Sequence, residues 1–153
     1  MILFLASFLL HAKDLDGRLG VGVNQILGQN SSISVRFAVP MPKEVMEVQA
    51  EAFLGIDTDP DSPHAQSLFG VRGVYGIIVE DNMNILGGAS LAYLDSDGSP
   101  TFRIQPSLEA QFFLMGLDNL SFSSTVGMEI DFGKGSSQFQ IGGNLIGSMH
   151  YWF

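Results

Sequence analysis

The chain has 153 residues, of which 46% are hydrophobic and 15% charged, with seven Lys and Arg against sixteen Asp and Glu and no cysteine. This length fits one domain, and the charged fraction lies well below the roughly 25% that is usual for a soluble domain. The acidic balance excludes a nucleic-acid footprint, and the lack of cysteine excludes disulfides, thiolate metal sites and cysteine nucleophiles. The longest apolar run, Met1 to Leu10, falls short of the roughly 20 residues that a transmembrane helix needs.

The first twelve residues, MILFLASFLLHA, are almost entirely apolar and are followed by polar Lys13 and Asp14. This pattern predicts a secretory signal peptide over residues 1–12, cleaved after Ala12, and a single domain over residues 13–153. No basic segment precedes the apolar run, and Leu10 stands where a small residue usually precedes the cleavage site, so a truncated or misplaced start is one interpretation. A first core strand is the alternative.

From Leu15 onward, apolar and polar residues alternate with a period of two, which is typical of strands that are apolar on one face. The alternation predicts eight strands, over residues 15–26, 33–39, 46–54, 69–79, 84–94, 102–112, 121–132 and 138–153. One antiparallel register of the sixth and seventh strands sets Phe102 opposite Phe132, Phe112 opposite Phe122, and Arg103 opposite Asp131. Both aromatic pairs and one ion pair then form together, which favours this hairpin.

Two kinds of connection alternate between these strands. Residues 40–44, 80–84 and 115–119 form short connections, whereas residues 29–32, 57–66, 95–100 and 133–138 are rich in Asp, Gly, Ser and Pro. An up-and-down meander places the two sets at opposite ends. Because closure removes unpaired strand edges, the sequence predicts an all-β, eight-stranded antiparallel up-and-down barrel.

The composition of the two strand faces indicates which one points outward. The polar face consists of Ser, Gln, Gly and isolated charges, unlike a solvated surface dense in Lys and Glu. The aromatic residues of the apolar face form two groups, one beside the acidic loops and one at the other end, as expected at two membrane interfaces. These groups are Phe69, Tyr93, Phe102, Phe132 and Phe139, and then Tyr75, Phe112, Phe122, Tyr151 and Phe153. A transmembrane barrel is therefore favoured over a soluble, lipocalin-like carrier of an apolar ligand.

The segment MHYWF at residues 149–153 places Met149, Tyr151 and Phe153 at alternating positions. Bacterial outer-membrane barrels typically end in an aromatic residue that follows such an alternation. With the eight strands and the signal-like start, the chain resembles small outer-membrane β-barrels of the OmpA or OmpX type over roughly residues 15–153. The resemblance implies a monomeric cell-envelope protein of Gram-negative bacteria without a cofactor, in contact with outer-membrane lipid and lipopolysaccharide. It also implies periplasmic termini, acidic loops outside, and a last strand that the assembly machinery recognises.

In such a barrel the polar face lines the lumen. Charged residues on that face are expected to pair with one another, because isolated charges in a narrow lumen are costly. They are Arg18, Arg36, Arg72, Arg103, Glu47, Glu51, Glu109, Glu129 and Asp131, with His150 as a hydrogen-bonding residue. Since eight strands leave a lumen that side chains can fill, we expect a plugged barrel with a structural or surface-interaction role, and a narrow pore as the alternative.

Enzymatic activity has weaker support in the sequence. Some barrels of this size modify lipid A, and a hydrolase or acyltransferase of that kind could use His64 and Ser67 with Glu51 or Asp57. The spacing matches no known motif, so no catalytic residue is predicted. The aspartates of two loops, Asp57, Asp59, Asp61, Asp95 and Asp97, lack the glycine and distal glutamate of a calcium loop. No metal or cofactor site is predicted.

Overall fold

The computed structural model describes residues 15–26, 31–41, 47–56, 66–80, 82–96, 99–133 and 136–153. It contains eight strands, each hydrogen-bonded to the next, and the last pairs with the first, so the predicted all-β, closed antiparallel barrel is confirmed. The strands are β1 (Leu19–Ile26), β2 (Ser31–Val39), β3 (Val48–Ile56), β4 (Gln66–Val79), β5 (Met83–Ser96), β6 (Ser99–Leu114), β7 (Leu117–Gly133) and β8 (Ser136–Trp152). Within the described ranges, no helix is long and apolar enough to cross a bilayer.

The meander gives the barrel two different ends. We call the end that carries the β2–β3, β4–β5 and β6–β7 connections, together with residues 15–18 and 153, the turn end. The opposite end, where the acidic segments of the sequence join the strands, is the loop end. The two predicted sets of connections therefore belong to opposite ends.

The predicted register of the β6–β7 hairpin is confirmed: Phe102 pairs with Phe132, Phe112 with Phe122, and Arg103 with Asp131. The connection is shorter than predicted, because β6 extends to Leu114 and β7 begins at Leu117. Gly116 adopts a φ of 83°, a left-handed conformation that glycine adopts without a steric penalty. A two-residue turn therefore replaces the predicted connection over residues 115–119.

Along most of the strands, side chains alternate between the two faces of the wall. In β2, Ser32, Ser34 and Arg36 are buried inside the barrel, whereas Ile33 between them is 65% exposed. The same alternation places further large apolar side chains outside, including Val71, Leu91, Leu108 and Val126. The apolar face of the sheet thus points outward and the polar face inward, the reverse of a water-soluble barrel.

Two residues depart from the predicted phase. Leu15 was expected on the outer face of the first strand, but a turn at Asp16–Gly17 precedes β1 and leaves Leu15 buried. A bulge in β4 at Ile77–Ile78 leaves both isoleucines exposed. The extra residue shifts the alternation, and Val79 consequently lies next to lumen-facing Gly76. A Cβ added to Gly76 would overlap the Val79 side chain.

Candidate functional site

The lowest layer of the lumen closes the turn end with apolar side chains. Leu15, Ala38, Phe113 and Trp152 form a buried cluster, which we call the closing cluster. Trp152 is fully buried, and its indole Nε1 donates a hydrogen bond of 2.9 Å to Ser121 Oγ. The one polar atom of the indole is therefore satisfied, as a buried tryptophan requires.

Amide side chains lie directly above the closing cluster. Gln49, Asn84 and Gln111 are at most 1% exposed. Asn84 Nδ2 donates to Gln111 Oε1 at 3.1 Å and to Glu47 Oε2 at 3.2 Å, and Gln49 Nε2 donates to the other oxygen of Glu47. Glu47 precedes β3, and burial raises the pKa of its carboxyl above the ordinary value.

The middle layer is a group of two arginines and two glutamates, Arg36, Glu51, Arg72 and Glu109, which we call the four-charge cluster. Arg36 donates to Glu109 at 2.6 Å and to Glu51 at 2.7 Å. Arg72 donates to Glu109 through Nη2, and its Nη1 lies 3.6 Å from Glu51. All four side chains are at most 7% exposed. The formal charges of the cluster cancel, as expected for ions buried away from water.

Strand order explains how these four residues meet. Arg36 lies opposite Glu51 across β2 and β3, and Glu51 lies opposite Arg72 across β3 and β4. Three alternating charges therefore form one row across neighbouring strands. Glu109 comes from β6 on another part of the wall and reaches this row only because the sheet is closed.

Uncharged partners complete the hydrogen bonding of the two glutamates. Asn24 Nδ2 donates to Glu51 Oε1 at 2.9 Å, and Thr125 Oγ1 donates to Glu109 Oε2 at 3.5 Å. Asn24 and Thr125 are buried on β1 and β7. With these partners the cluster draws side chains from β1, β2, β3, β4, β6 and β7 and crosses the lumen.

His150 is fully buried beside the four-charge cluster. Its Nε2 lies 2.7 Å from Ser34 Oγ and 3.4 Å from Glu51 Oε1, while Nδ1 has no hydrogen-bond partner among the described residues. A Ser-His-acid relay needs the serine and the acid on different ring nitrogens. Here both contact the same nitrogen, so this geometry fits a structural hydrogen bond.

The upper layer, toward the loop end, contains a second ion group, formed by Arg103, Glu129 and Asp131 and called the rim cluster. Arg103 donates to Asp131 through Nε at 2.7 Å and Nη2 at 2.9 Å, and to Glu129 through Nη1 at 2.6 Å. The side chains are 13% exposed for Arg103 and 20% for Asp131. The rim cluster is therefore closer to water than the four-charge cluster.

One residue of the predicted lumen network lies elsewhere. Arg18 precedes β1 at the turn end, and its Nη1 donates to Asn119 Oδ1 at 3.1 Å in an exposed contact. Arg18 lies one residue before β1, where its carbonyl oxygen accepts a hydrogen bond from Ala38 N, and its side chain therefore contacts the turn end and neither ion cluster. The other nine, Arg36, Arg72, Arg103, Glu47, Glu51, Glu109, Glu129, Asp131 and His150, lie inside the barrel.

Several uncharged side chains belong to the lumen beside the predicted charged ones. The alternation of the sixth and seventh strands predicts Gln111 and Thr125 there, on the face of Glu109 and Glu129, and both are buried. Asn24, Gln49 and Asn84 are buried in the same way but were not predicted, although Gln49 has even spacing with Glu51. Trp152 was not predicted either, although it occupies the inward phase of the alternation that places Met149, Tyr151 and Phe153 outside.

Glycines in the lumen make room for large neighbours. Gly20 pairs with Trp152 and Gly22 with His150 across β1 and β8, and Gly70 pairs with Phe53 across β3 and β4. A Cβ added to Gly22 would overlap the Met149 carbonyl oxygen, and one added to Gly70 would overlap the Phe53 ring. Each of these large side chains thus lies beside a glycine, which has no side chain.

The exterior carries aromatic side chains toward both ends. Phe69, Tyr93, Phe102 and Phe132 follow one another in register across β4 to β7. The Tyr93 and Phe102 rings meet edge to face at 5.3 Å. Nearer the turn end are Tyr75, Phe112, Phe122, Tyr151 and Phe153, all between 38% and 71% exposed. The side chain of Phe139 lies outside the described set.

The candidate catalytic and metal-binding residues are not brought together in the described ranges. His64, Asp57, Asp59, Asp61 and Asp97 lie outside those ranges. Ser67 is exposed at the loop end, and Glu51 is engaged by Arg36 and Asn24. Among described residues, no group of three or more His, Asp or Glu could hold a metal ion.

Comparison of the chain with protein-family models, with curated protein sequences and with solved structures finds no match.

Proposed function

We propose that the protein is an integral β-barrel of the bacterial outer membrane, with lipid in contact with its exterior. The observation that carries this proposal is the inversion of the two faces. Ile33, Leu91 and Leu108 point outward and are 53–65% exposed, while Arg36, Glu109 and His150 point inward and are at most 1% exposed. Moving apolar surface from water into an apolar environment is favourable by about 25 cal/mol per Å². Lipid is therefore the environment that suits this exterior.

The height of the apolar band supports the same proposal. On β6, ten residues separate Phe102 near the loop end from Phe112 near the turn end. At about 3.3 Å per residue and a tilt of about 40°, this stretch spans roughly 25 Å, the height of the apolar band of an outer-membrane barrel. The two aromatic groups then lie where aromatic side chains collect at membrane interfaces.

The resemblance to outer-membrane barrels gives the proposed orientation. The turn end, with the described ends of the chain, faces the periplasm, and the loop end faces outward beside lipopolysaccharide. Met149, Tyr151 and Phe153 point away from the lumen and are 42–71% exposed. That arrangement supports the prediction that the assembly machinery recognises β8 through these side chains.

The proposed role is structural or one of surface interaction, and not transport or catalysis. The closing cluster and the four-charge cluster lie across the lumen, which supports a plugged barrel over a narrow pore. A lipocalin-like carrier needs an apolar lumen, whereas this one buries Arg36 and Glu109. For lipid A chemistry, the Ser34–His150–Glu51 contact has neither exposure nor the relay geometry.

Extraction and gel mobility test the membrane assignment. The folded protein should enter the detergent-soluble membrane fraction and show a shift in electrophoretic mobility on heating, because the closed barrel resists detergent until heated. A protein that stays folded and monodisperse without detergent would contradict the assignment.

Two further measurements test the role. Planar bilayers containing the folded protein should show no stepwise conductance, and lipid A from cells with and without the protein should have the same acyl pattern by mass spectrometry. Conductance steps would favour the pore, and a changed acyl pattern would favour the enzyme.

A further inference from the structure

The loop half of the lumen contains a cavity of about 190 Å³ above the four-charge cluster, which we call the rim cavity. One part of its wall is apolar and comes mainly from β3 to β5, with Phe53, Leu68, Ala92 and Leu94. The part formed by β6 and β7 is polar and includes Arg103, Gln105, Thr125 and Asp131. The cavity is therefore amphipathic, and neither pure hydrocarbon nor a fully hydrated ion would match its wall.

Three polar atoms of the wall lack a hydrogen-bond partner among the described residues: Arg72 Nε, Gln105 Nε2 and one carboxylate oxygen of Asp95. Gln105 is 8% exposed, and its Oε1 accepts a hydrogen bond from Ser90, but its Nε2 has no acceptor. Asp95, at the rim, has a carboxylate oxygen that is shielded from solvent and accepts no hydrogen bond. Because buried polar atoms are normally paired, the Asp95 oxygen indicates where a bound molecule would donate, and the two nitrogens could donate to the face of an aromatic ring in that molecule.

The charged groups around the cavity determine the sign of the charge that a bound molecule should carry. Three carboxylates line the cavity, those of Glu51, Asp95 and Asp131, with two guanidiniums, those of Arg72 and Arg103. Arg103 already donates three hydrogen bonds to Glu129 and Asp131, and Arg72 donates to Glu109 and Thr125. Both guanidiniums are thus engaged by oxygens of the protein, and the excess of carboxylate charge attracts a cation.

The volume limits the size of the molecule. An apolar protein cavity of about 150 Å³ holds one benzene molecule. The rim cavity, at about 190 Å³, has room for one ring or short chain and a few more atoms. An ammonium group at Asp95 would leave the apolar part of such a molecule against Phe53, Leu68 and Leu94.

We propose that the rim cavity binds a small organic cation that joins an ammonium group to one aromatic ring or short apolar chain. The cavity lies inside the barrel, so this binding does not depend on what contacts the exterior. Failure of binding and failure of membrane insertion are therefore separate results.

Three probes of similar size and different charge test the proposal: 2-phenylethylammonium, 2-phenylethanol and phenylacetate. Each is titrated by calorimetry into the full chain folded in a non-ionic detergent at low salt. The ammonium compound should bind at least tenfold more tightly than the alcohol, and phenylacetate should bind most weakly. Equal affinity for the alcohol and the amine, preference for the anion, or no binding of the amine would each overturn the proposal.

Two variants and a control test whether the ammonium probe binds in the rim cavity. Asp95→Asn should weaken binding of the ammonium probe about tenfold, whereas the matched change Asp118→Asn, on an exposed residue near the turn end, should leave it unchanged. Ala92→Phe fills the cavity without changing any charge, and it should abolish binding while the heat-dependent gel shift stays normal. Unchanged affinity in Asp95→Asn or in folded Ala92→Phe would overturn the assignment to this site.

Discussion

The two ion clusters of the lumen use the same chemistry in different surroundings. In the four-charge cluster, two arginines and two glutamates balance and are at most 7% exposed. In the rim cluster, Arg103 is shared by two carboxylates, and Asp131 is 20% exposed. Ion pairing alone therefore does not plug the lumen: the turn half is filled because large side chains and amides surround its charges, and the loop half leaves a cavity.

The largest effect is expected from breaking the buried cluster. Glu109→Gln leaves the buried guanidiniums of Arg36 and Arg72 with one shared carboxylate, which should cost about 3–5 kcal/mol in the free energy of unfolding. Urea unfolding of the protein in lipid vesicles measures the loss. The double variant Arg36→Met with Glu109→Met restores charge balance and should recover most of it. A loss below about 1 kcal/mol in the single variant would mean that the cluster is well solvated.

Packing in the turn half is tested next. Gly22→Ala adds a Cβ that would overlap the Met149 carbonyl oxygen and the His150 side chain, so it should cost about 1–3 kcal/mol in the same unfolding experiment. Gly73→Ala is the matched control, because a Cβ there meets no atom within 4 Å. If the two variants were equally stable, the turn half would not be tightly packed.

A smaller effect is expected at the rim cluster. Asp131→Asn makes the same carboxylate-to-amide change as Glu109→Gln, but at a part-exposed residue, so it should cost at most about 1 kcal/mol. Increasing salt should reduce this cost further, since water and ions reach the rim. A loss as large as that of Glu109→Gln would remove the distinction between the two clusters.

The smallest effect concerns Glu47, a half-buried carboxyl beside the amides of the turn half. Its pKa is raised in the folded protein, so folding favours the protonated form, and the stability of the wild type falls as pH rises from the unfolded pKa through the folded one. Glu47→Gln removes this fall. The variant should match the wild type well below pH 4 and be slightly more stable at pH 7, as measured by unfolding at both values. A variant less stable than the wild type at pH 7 would contradict this sign.

The pairing of residues on neighbouring strands could be predicted from the sequence, whereas contacts between side chains across the lumen could not. The pairing of Phe102 with Phe132 follows from alternation within one hairpin. The row of Arg36, Glu51 and Arg72 follows in the same way, from adjacent strands. Glu109 joins that row from β6, and this contact depends on closure and strand tilt, which no local pattern encodes.

The rim cavity was unpredictable for a related reason. It is lined by Phe53 and Leu68 on β3 and β4 and by Gln105 and Thr125 on β6 and β7, and the volumes of side chains on such non-adjacent strands decide that space. The departures at Leu15 and at Ile77–Ile78 come from a turn and a bulge, which shift the alternation by local backbone geometry. Pattern reasoning assumes an uninterrupted strand and misses both.

Single cysteines test most directly whether the apolar exterior lies in lipid, and the natural chain contains none that would interfere. Leu108 points outward between the two aromatic groups and is 53% exposed, whereas Met115, at the tip of the β6–β7 turn, is 86% exposed. Leu108→Cys and Met115→Cys are each folded into vesicles that are freeze–thawed with a water-soluble maleimide, so the reagent reaches both sides. We predict that Leu108→Cys reacts at least tenfold more slowly than Met115→Cys, and that the difference disappears after heating in detergent. Equal rates in intact vesicles would contradict the account.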